Sequence, residues 1–239
     1  MMSLIPAWIS SIILTTTFLI AATTSFVFYR VSRTFVGAKE RLPWMIIVFL
    51  TVWVWISIML GWQGFFKPDP AVHFPRIVFL FIPIILGVLA LNFSKNFRRT
   101  IDAILPVWII GIQFYRILGT LFLVLYAQGL LPKAFALPVG IGDIAVGVTA
   151  PLVAYLYFVK HPWAHGLAII WNVFGIGDLV VAVTTGFLSS PGPFQRLAFD
   201  SPNVLVGQFP LILIPIFAVP LSILFHVFSL KVLIKSSAS

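Results

Sequence analysis

Long apolar stretches separated by short polar segments constrain the fold of this chain more than any other feature. Seven of them are long enough to cross a bilayer as helices, at residues 4–29, 43–61, 74–91, 102–127, 138–159, 164–187 and 204–230. With 61% hydrophobic and 9% charged residues, the chain has too few polar side chains to cover a water-soluble protein. The sequence therefore predicts one all-α domain over residues 1–239, a bundle of seven transmembrane helices in a lipid bilayer.

Basic residues are unevenly divided between the two sides of this predicted bundle. One side carries ten of them: Arg30, Arg33, Lys39, Arg41, Lys95, Arg98, Arg99, Lys160, Lys231 and Lys235. The other side carries four: Lys67, Arg76, Lys133 and Arg196. Because basic residues concentrate in cytoplasmic loops, we expect the N-terminus outside and the C-terminus in the cytoplasm, in a bacterial inner membrane. Topology accounts for the net charge of +9, which gives no reason to expect a nucleic-acid partner.

The four residues Gly-Ile-Gly-Asp occur twice, at residues 140–143 and 175–178, on the two helices of a predicted hairpin. The ten-residue segments GIGDIAVGVT and GIGDLVVAVT share seven identities. Asp143 lies 17 residues before Lys160 and Asp178 lies 17 residues after His161, so both carboxyls lie about 26 Å from the turn. The pattern indicates a local inverted repeat, as in transporters with ligand sites between repeats; chance similarity is the alternative. The glycines favour close helix packing, with local unwinding of the helices as the alternative.

An aspartate inside an apolar span costs about 2.5–3.5 kcal/mol on insertion scales and therefore usually has a partner. Arg116 is the only basic residue placed well inside an apolar run, and α-helical spacing puts Gln113 and Thr120 on its face. We predict a buried cluster of Asp143, Asp178, Arg116 and Gln113 in the outer half of the membrane. This cluster is the candidate site for binding a small ligand, an ion or a proton.

Two carboxylates in contact do not both ionise cheaply in a medium of low dielectric constant. With Arg116 beside them, the neutral combination is one ionised aspartate, one protonated aspartate and the guanidinium. The cluster thus predicts a proton-binding site, or a pocket in which a cation or zwitterion displaces the guanidinium. A purely structural ion pair that fixes the helix register is the alternative.

Tyr115 and Asn172 are further candidates for the cluster, and His226 is expected outside it. Helix phase points Tyr115 and Asn172 away from their charged neighbours, and His226 is expected to cap a helix or snorkel near the cytoplasmic interface. The chain has no cysteine, and no two histidines lie four residues apart within a span. We therefore expect no metal site and no cofactor.

Gly-x-Gly-Asp in a transmembrane helix resembles the signature of the intramembrane aspartyl proteases, the presenilin, signal peptide peptidase and prepilin peptidase group. The resemblance covers four residues on each helix and implies that Asp143 and Asp178 are a catalytic pair that activates a water for peptide hydrolysis. The Pro-Ala-Leu element of presenilin-like enzymes is missing, and Arg116 would hinder a shared proton. Binding or transport is thus the main expectation, with the protease and a structural or accessory membrane subunit as the alternatives.

Overall fold

The computed structural model describes residues 5–35, 37, 41–69 and 75–237. Within these ranges all regular structure is helical, and seven helices are long and apolar enough to cross a membrane, as predicted. They run over Ala7–Phe35, Leu42–Trp62, Arg76–Phe93, Pro106–Ala127, Lys133–Phe158, Ala164–Ser189 and Ile214–Lys235. Positions 4 and 74, where the first and third spans were predicted to begin, lie outside the described residues.

The helices are named in chain order. They are α1 (Ala7–Phe35), α2 (Leu42–Trp62), α3 (Phe81–Phe93, preceded by a 3₁₀ turn at Arg76–Leu80), α4 (Lys95–Ala103), α5 (Pro106–Gly111), α6 (Thr120–Ala127), α7 (Lys133–Phe158), α8 (Ala164–Ser189) and α9 (Val219–Ser237). A 3₁₀ segment, Ile112–Gly119, joins α5 to α6 within one span, and a π-helical turn, Ile214–Ala218, leads into α9. Helices α7 and α8 pack as an antiparallel hairpin, and the last span is the most buried of the seven.

One end of the bundle, which we call the basic end, holds most of the charge. The basic residues described at this end are Arg30, Arg33, Arg41, Lys95, Arg98, Arg99, Lys160, Lys231 and Lys235. Lys39 falls outside the described residues. The opposite end holds the loops at residues 63–69, 128–132 and 190–213, with the beginning of α1 beside them.

The short helix α4 replaces the loop expected between the third and fourth spans. Ser94 caps it by accepting a hydrogen bond from the Phe97 backbone N–H at 3.2 Å. Asp102, where the fourth span was predicted to begin, instead lies in the last turn of α4. Leu105 is extended (ψ 131°) because the ring of Pro106 disfavours helical geometry in the preceding residue, so the fourth span begins only at Pro106.

The Asp102 carboxylate pairs with two lysines of the last span at the basic end. It accepts hydrogen bonds from Lys231 and, at 2.7 Å, from Lys235. Burial on its own raises the pKa of Asp102, but the hydrogen bonds and charges of the two lysines outweigh it and lower the pKa below 3.8. The pairs fasten α4 to the end of α9.

Replacing Asp102 by asparagine is expected to lower the free energy of unfolding by about 0.5–1 kcal/mol at neutral pH, a modest loss because both lysines are partly exposed. A carboxylate with a lowered native-state pKa stabilises the fold above its ordinary pKa, and that stabilisation is lost as the pH falls through the lower value. Unfolding curves of the wild type and the variant in micelles should therefore converge below pH 3.8. Asp200→Asn, which removes an exposed carboxylate, is the control; equal curves for all three proteins at neutral pH would contradict the prediction.

The last span begins later than predicted. Residues 204–212 are irregular or form turns. The last span therefore becomes helical only near Ile214, and not at residue 204. Pro220 has no N–H, which leaves the Ile216 carbonyl without its donor four residues ahead. The Trp53 Nε1–H donates to that carbonyl at 3.0 Å. A tryptophan in the middle of α2 thereby supports the interrupted helix.

Candidate functional site

The buried polar residues of the fourth span lie on the 3₁₀ segment in its middle, Ile112–Gly119. With three residues per turn, Gln113, Arg116 and Gly119 occupy the same face of the segment, one turn apart, and all three are buried. The α-helical spacing used for the prediction placed Thr120 on this face. That part was wrong: Thr120 is exposed and its hydroxyl donates to the Ile117 carbonyl at 2.7 Å.

Arg116 lies between the two repeated aspartates and is 3% exposed. Its Nε donates to Asp143 Oδ1 at 2.7 Å, and its Nη2 forms an ion pair with Asp178 Oδ2. Its Nη1 donates to the Gly175 carbonyl at 3.3 Å. Three of the four predicted residues thus meet in one cluster, while their role in binding stays a prediction.

Gln113, the fourth predicted residue, does not contact the aspartates. The Ser222 hydroxyl donates to Gln113 Oε1 at 2.7 Å, and Gln113 Nε2 donates to the Ser222 carbonyl at 3.1 Å. Tyr115 next to Arg116 donates its hydroxyl to the Ala218 carbonyl at 3.1 Å. Both residues tie the 3₁₀ segment to the last span and hold the Arg116 backbone in place.

His226 belongs to the cluster, although we expected it at the interface. It is fully buried, with Nε2 at 3.1 Å from Arg116 Nη1 and Nδ1 at 2.9 Å from Asn172 Oδ1. The expectation was wrong because α9 continues to Ser237, which puts His226 well inside the span. A sequence signal existed: Ser222, His226 and Ser229 lie four and three residues apart, a polar stripe along one helix face.

The hydrogen bonds of His226 define its tautomer. Asn172 uses its amide nitrogen to donate to the Ala168 carbonyl at 2.7 Å and to Ser229 Oγ at 3.0 Å, so its oxygen is the acceptor facing His226. Nδ1 therefore carries a hydrogen, and Nε2 accepts from Arg116, because a guanidinium has no acceptor. The imidazole is neutral in this arrangement, and Asn172 contacts the cluster through it, which corrects the expectation that Asn172 points away.

The glycines of the repeat make room for the cluster. A Cβ at Gly142 would overlap the Asp178 carboxylate, and one at Gly175 would overlap the His226 ring. One at Gly147 would overlap the backbone at Arg116 and Ile117. Both helices continue without a break through the repeated segments, so the glycines serve close packing and the alternative of local unwinding is wrong.

A cavity of about 130 Å³ leads from the loops at the end opposite the basic end to Asp143. Its mouth includes Lys67 and Gln195, and aromatic rings such as Phe122 and Phe135 form part of its wall. A second cavity, of about 50 Å³, also has Asp143 in its lining, together with Arg116 and Tyr115. The Asp143 side chain is 13% exposed against 6% for Asp178, so Asp143 is the more accessible acid.

The charges of the cluster do not balance when both aspartates are ionised. Two carboxylates face one guanidinium, and His226 is neutral by its hydrogen bonds. The excess of one negative charge in a largely buried place is unfavourable. The cluster becomes neutral when it takes up one proton or one monovalent cation.

Residues 73–234 match the family model described as Domain of unknown function (DUF8737), and because the match covers more than half of the chain, the chain belongs to this family. The matched range contains Arg116, Asp143, Asp178 and His226, which we call the ion cluster, whereas α1 and α2 precede the matched range. No curated protein and no solved structure matches the chain.

Proposed function

We propose that this member of the DUF8737 family is an integral membrane protein that binds or transports a small ligand, an ion or a proton at the Asp143, Arg116 and Asp178 cluster. Among these three kinds of ligand, the charge balance of the cluster favours a proton or a monovalent cation. The basic end faces the cytoplasm in this proposal, with the N-terminus outside, because cytoplasmic loops collect Lys and Arg. A bacterial inner membrane stays the expected location.

The observation that carries the proposal is the position of Asp143 at the inner end of the cavity of about 130 Å³. The carboxylate is open to that cavity and belongs to a group with one negative charge in excess. In the proposed orientation the cavity opens to the outside, so an external proton or cation reaches Asp143 without crossing the apolar core. Polar groups kept inside a membrane bundle commonly mark such pathways.

Hydrolysis of peptides is less well supported by the same geometry. An aspartyl protease needs two carboxyls that share a proton around a water. Here Arg116 donates to both carboxyls, through Nε to Asp143 and through Nη2 to Asp178. The geometry therefore favours binding over cleavage. The remaining alternative, a structural subunit without a ligand, is distinguished from a binding protein by the response to protons and cations.

Asp143→Asn is expected to abolish the response of the cluster to protons and cations while leaving the protein folded. The variant keeps the Arg116 pair with Asp178, so the cluster becomes neutral without any ligand. We expect the wild type in micelles to show an unfolding temperature that depends on pH or on added Na⁺, K⁺ or methylammonium chloride. A probe at about 100 times its dissociation constant would stabilise the wild type by about 2.7 kcal/mol and leave the variant unchanged.

Asp102→Asn is the matched control, because it removes a paired carboxylate outside the cluster. Its response to the same salts should equal that of the wild type. An Asp143→Asn variant that responds like the wild type, or a wild type that responds to none of the probes, would overturn the binding proposal and favour a structural role.

A further inference from the structure

A third cavity lies on the flank of the bundle, toward the basic end and away from the aspartates. It has a volume of about 400 Å³ and is bounded by α1, by α5 and the start of the 3₁₀ segment, and by α9, with Phe28, Trp108 and Phe225 among its walls. Its polar groups are few, and the Thr24 hydroxyl already donates to the Ile20 carbonyl at 2.7 Å. Apolar cavities of this kind hold hydrocarbon in preference to water.

Helix α4 packs behind the wall of this cavity on the side of the basic end. Phe97, on the buried face of α4, stacks on Phe28 with ring centroids 5.9 Å apart and meets Phe228 edge-on at 5.6 Å. Phe28, Phe228 and Ile104, the residue after α4, all line the cavity. One wall of an apolar cavity is thus joined directly to an amphipathic helix.

The outer face of α4 carries exposed basic residues. Lys95, Arg98 and Arg99 are all exposed, but the Arg98 guanidinium is held by the Leu91 carbonyl, at 3.2 Å, and by the Asn92 carbonyl. Lys231 and Lys235 are already paired with Asp102 and are neutralised there. Lys95 and Arg99 therefore remain as the cations of α4 that have no hydrogen-bond or ion-pair partner among the described residues.

We propose that the cavity and α4 together bind an anionic phospholipid, with one acyl chain in the cavity and the phosphate group against Lys95 and Arg99. In a bilayer, acyl chains are the abundant apolar groups that reach a cavity on the flank of a bundle. An amphipathic helix with a basic outer face lies at the level of the headgroups and attracts anionic ones. This site is distinct from the ion cluster, and the two proposals share only insertion in the membrane.

Gly111→Phe tests the cavity. Gly111 lines it, and a Cβ there would meet only the Ala154 Cβ, at an ordinary contact distance of 3.8 Å. A phenylalanine side chain at this position enters the space of the acyl chain. Gly166→Phe is the matched control, because Gly166 is an exposed helical glycine whose Cβ would meet nothing within 4 Å.

Native mass spectrometry of the purified protein with added phosphatidylglycerol or phosphatidylcholine gives the readout. The wild type and Gly166→Phe should bind phosphatidylglycerol about 25-fold more tightly than phosphatidylcholine, because Lys95 and Arg99 each contribute a factor of about five. Gly111→Phe should lose retained lipid of both kinds. The double variant Lys95→Gln/Arg99→Gln, changed only on an exposed face, should bind both lipids equally.

Equal retention by Gly111→Phe and Gly166→Phe would overturn the proposal, as would a wild type without preference for phosphatidylglycerol. A preference that persists in the double variant would also overturn it, because the phosphate contact would then lie elsewhere.

Discussion

Replacing Arg116 by methionine is expected to lower the free energy of unfolding by about 3–5 kcal/mol. Methionine fills a similar volume but donates no hydrogen bond, so both carboxylates and the His226 Nε2 lose their partner. Breaking a buried ion pair from one side is costly because the remaining charge stays uncompensated. Unfolding by heat or denaturant in micelles measures the loss.

The matched control for this prediction removes the charges that Arg116 compensates. In the triple variant Arg116→Met/Asp143→Asn/Asp178→Asn no ionised group is left in the cluster, so most of the lost stability should return. Arg116→Lys should recover less, since a single ammonium cannot reproduce the separate bonds from Nε, Nη1 and Nη2. If Arg116→Met unfolded at the same denaturant concentration as the wild type, Arg116 would contribute nothing to the free energy of unfolding and the prediction would fail.

Hydropathy was sufficient to predict the seven helices, because each must satisfy its backbone hydrogen bonds internally if it crosses a bilayer. The equal depth of Asp143 and Asp178 could also be predicted, since counting from a shared turn needs no knowledge of the outer helix ends. Helix ends themselves were less predictable. Pro106 sets the start of the fourth span, and placing the end of α9 too early hid His226.

The contacts of Gln113 could not be predicted from α-helical spacing, because the middle of the fourth span is a 3₁₀ helix. Each 3₁₀ residue rises about 2.0 Å instead of 1.5 Å, so the eight residues of Ile112–Gly119 are about 4 Å longer than in an α-helix. The 14 residues from Asp102 to Arg116 at α-helical rise give about 21 Å, which is about 5 Å less than the 26 Å counted for the aspartates. Between Ile112 and Arg116 the larger rise adds about 2 Å, which is less than half of that difference. The 3₁₀ geometry is supported by hydrogen bonds to the last span, which the sequence of one helix does not encode.

The two copies of the repeat are alike in sequence but differ in their surroundings. Gly142 and Gly177 occupy the same position, immediately before an aspartate. Gly142 faces the Asp178 carboxylate, whereas a Cβ at Gly177 would meet nothing within 4 Å. Only the first copy therefore needs glycine at this position, because only there does the partner helix bring an acid against the backbone.

Gly142→Ala and Gly177→Ala should accordingly change stability in opposite directions. The methyl group at Gly142 would displace the Asp178 carboxylate from Arg116 and lower the free energy of unfolding by about 1–3 kcal/mol. At Gly177 alanine meets no neighbour and favours the helix, which raises the free energy of unfolding by about 0.5–1 kcal/mol. Thermal unfolding of both variants in the same micelles measures the difference. Equal effects at the two positions would mean that Asp178 is not held against the opposite helix at Gly142, and the ion cluster could not then have the geometry from which its charge excess follows.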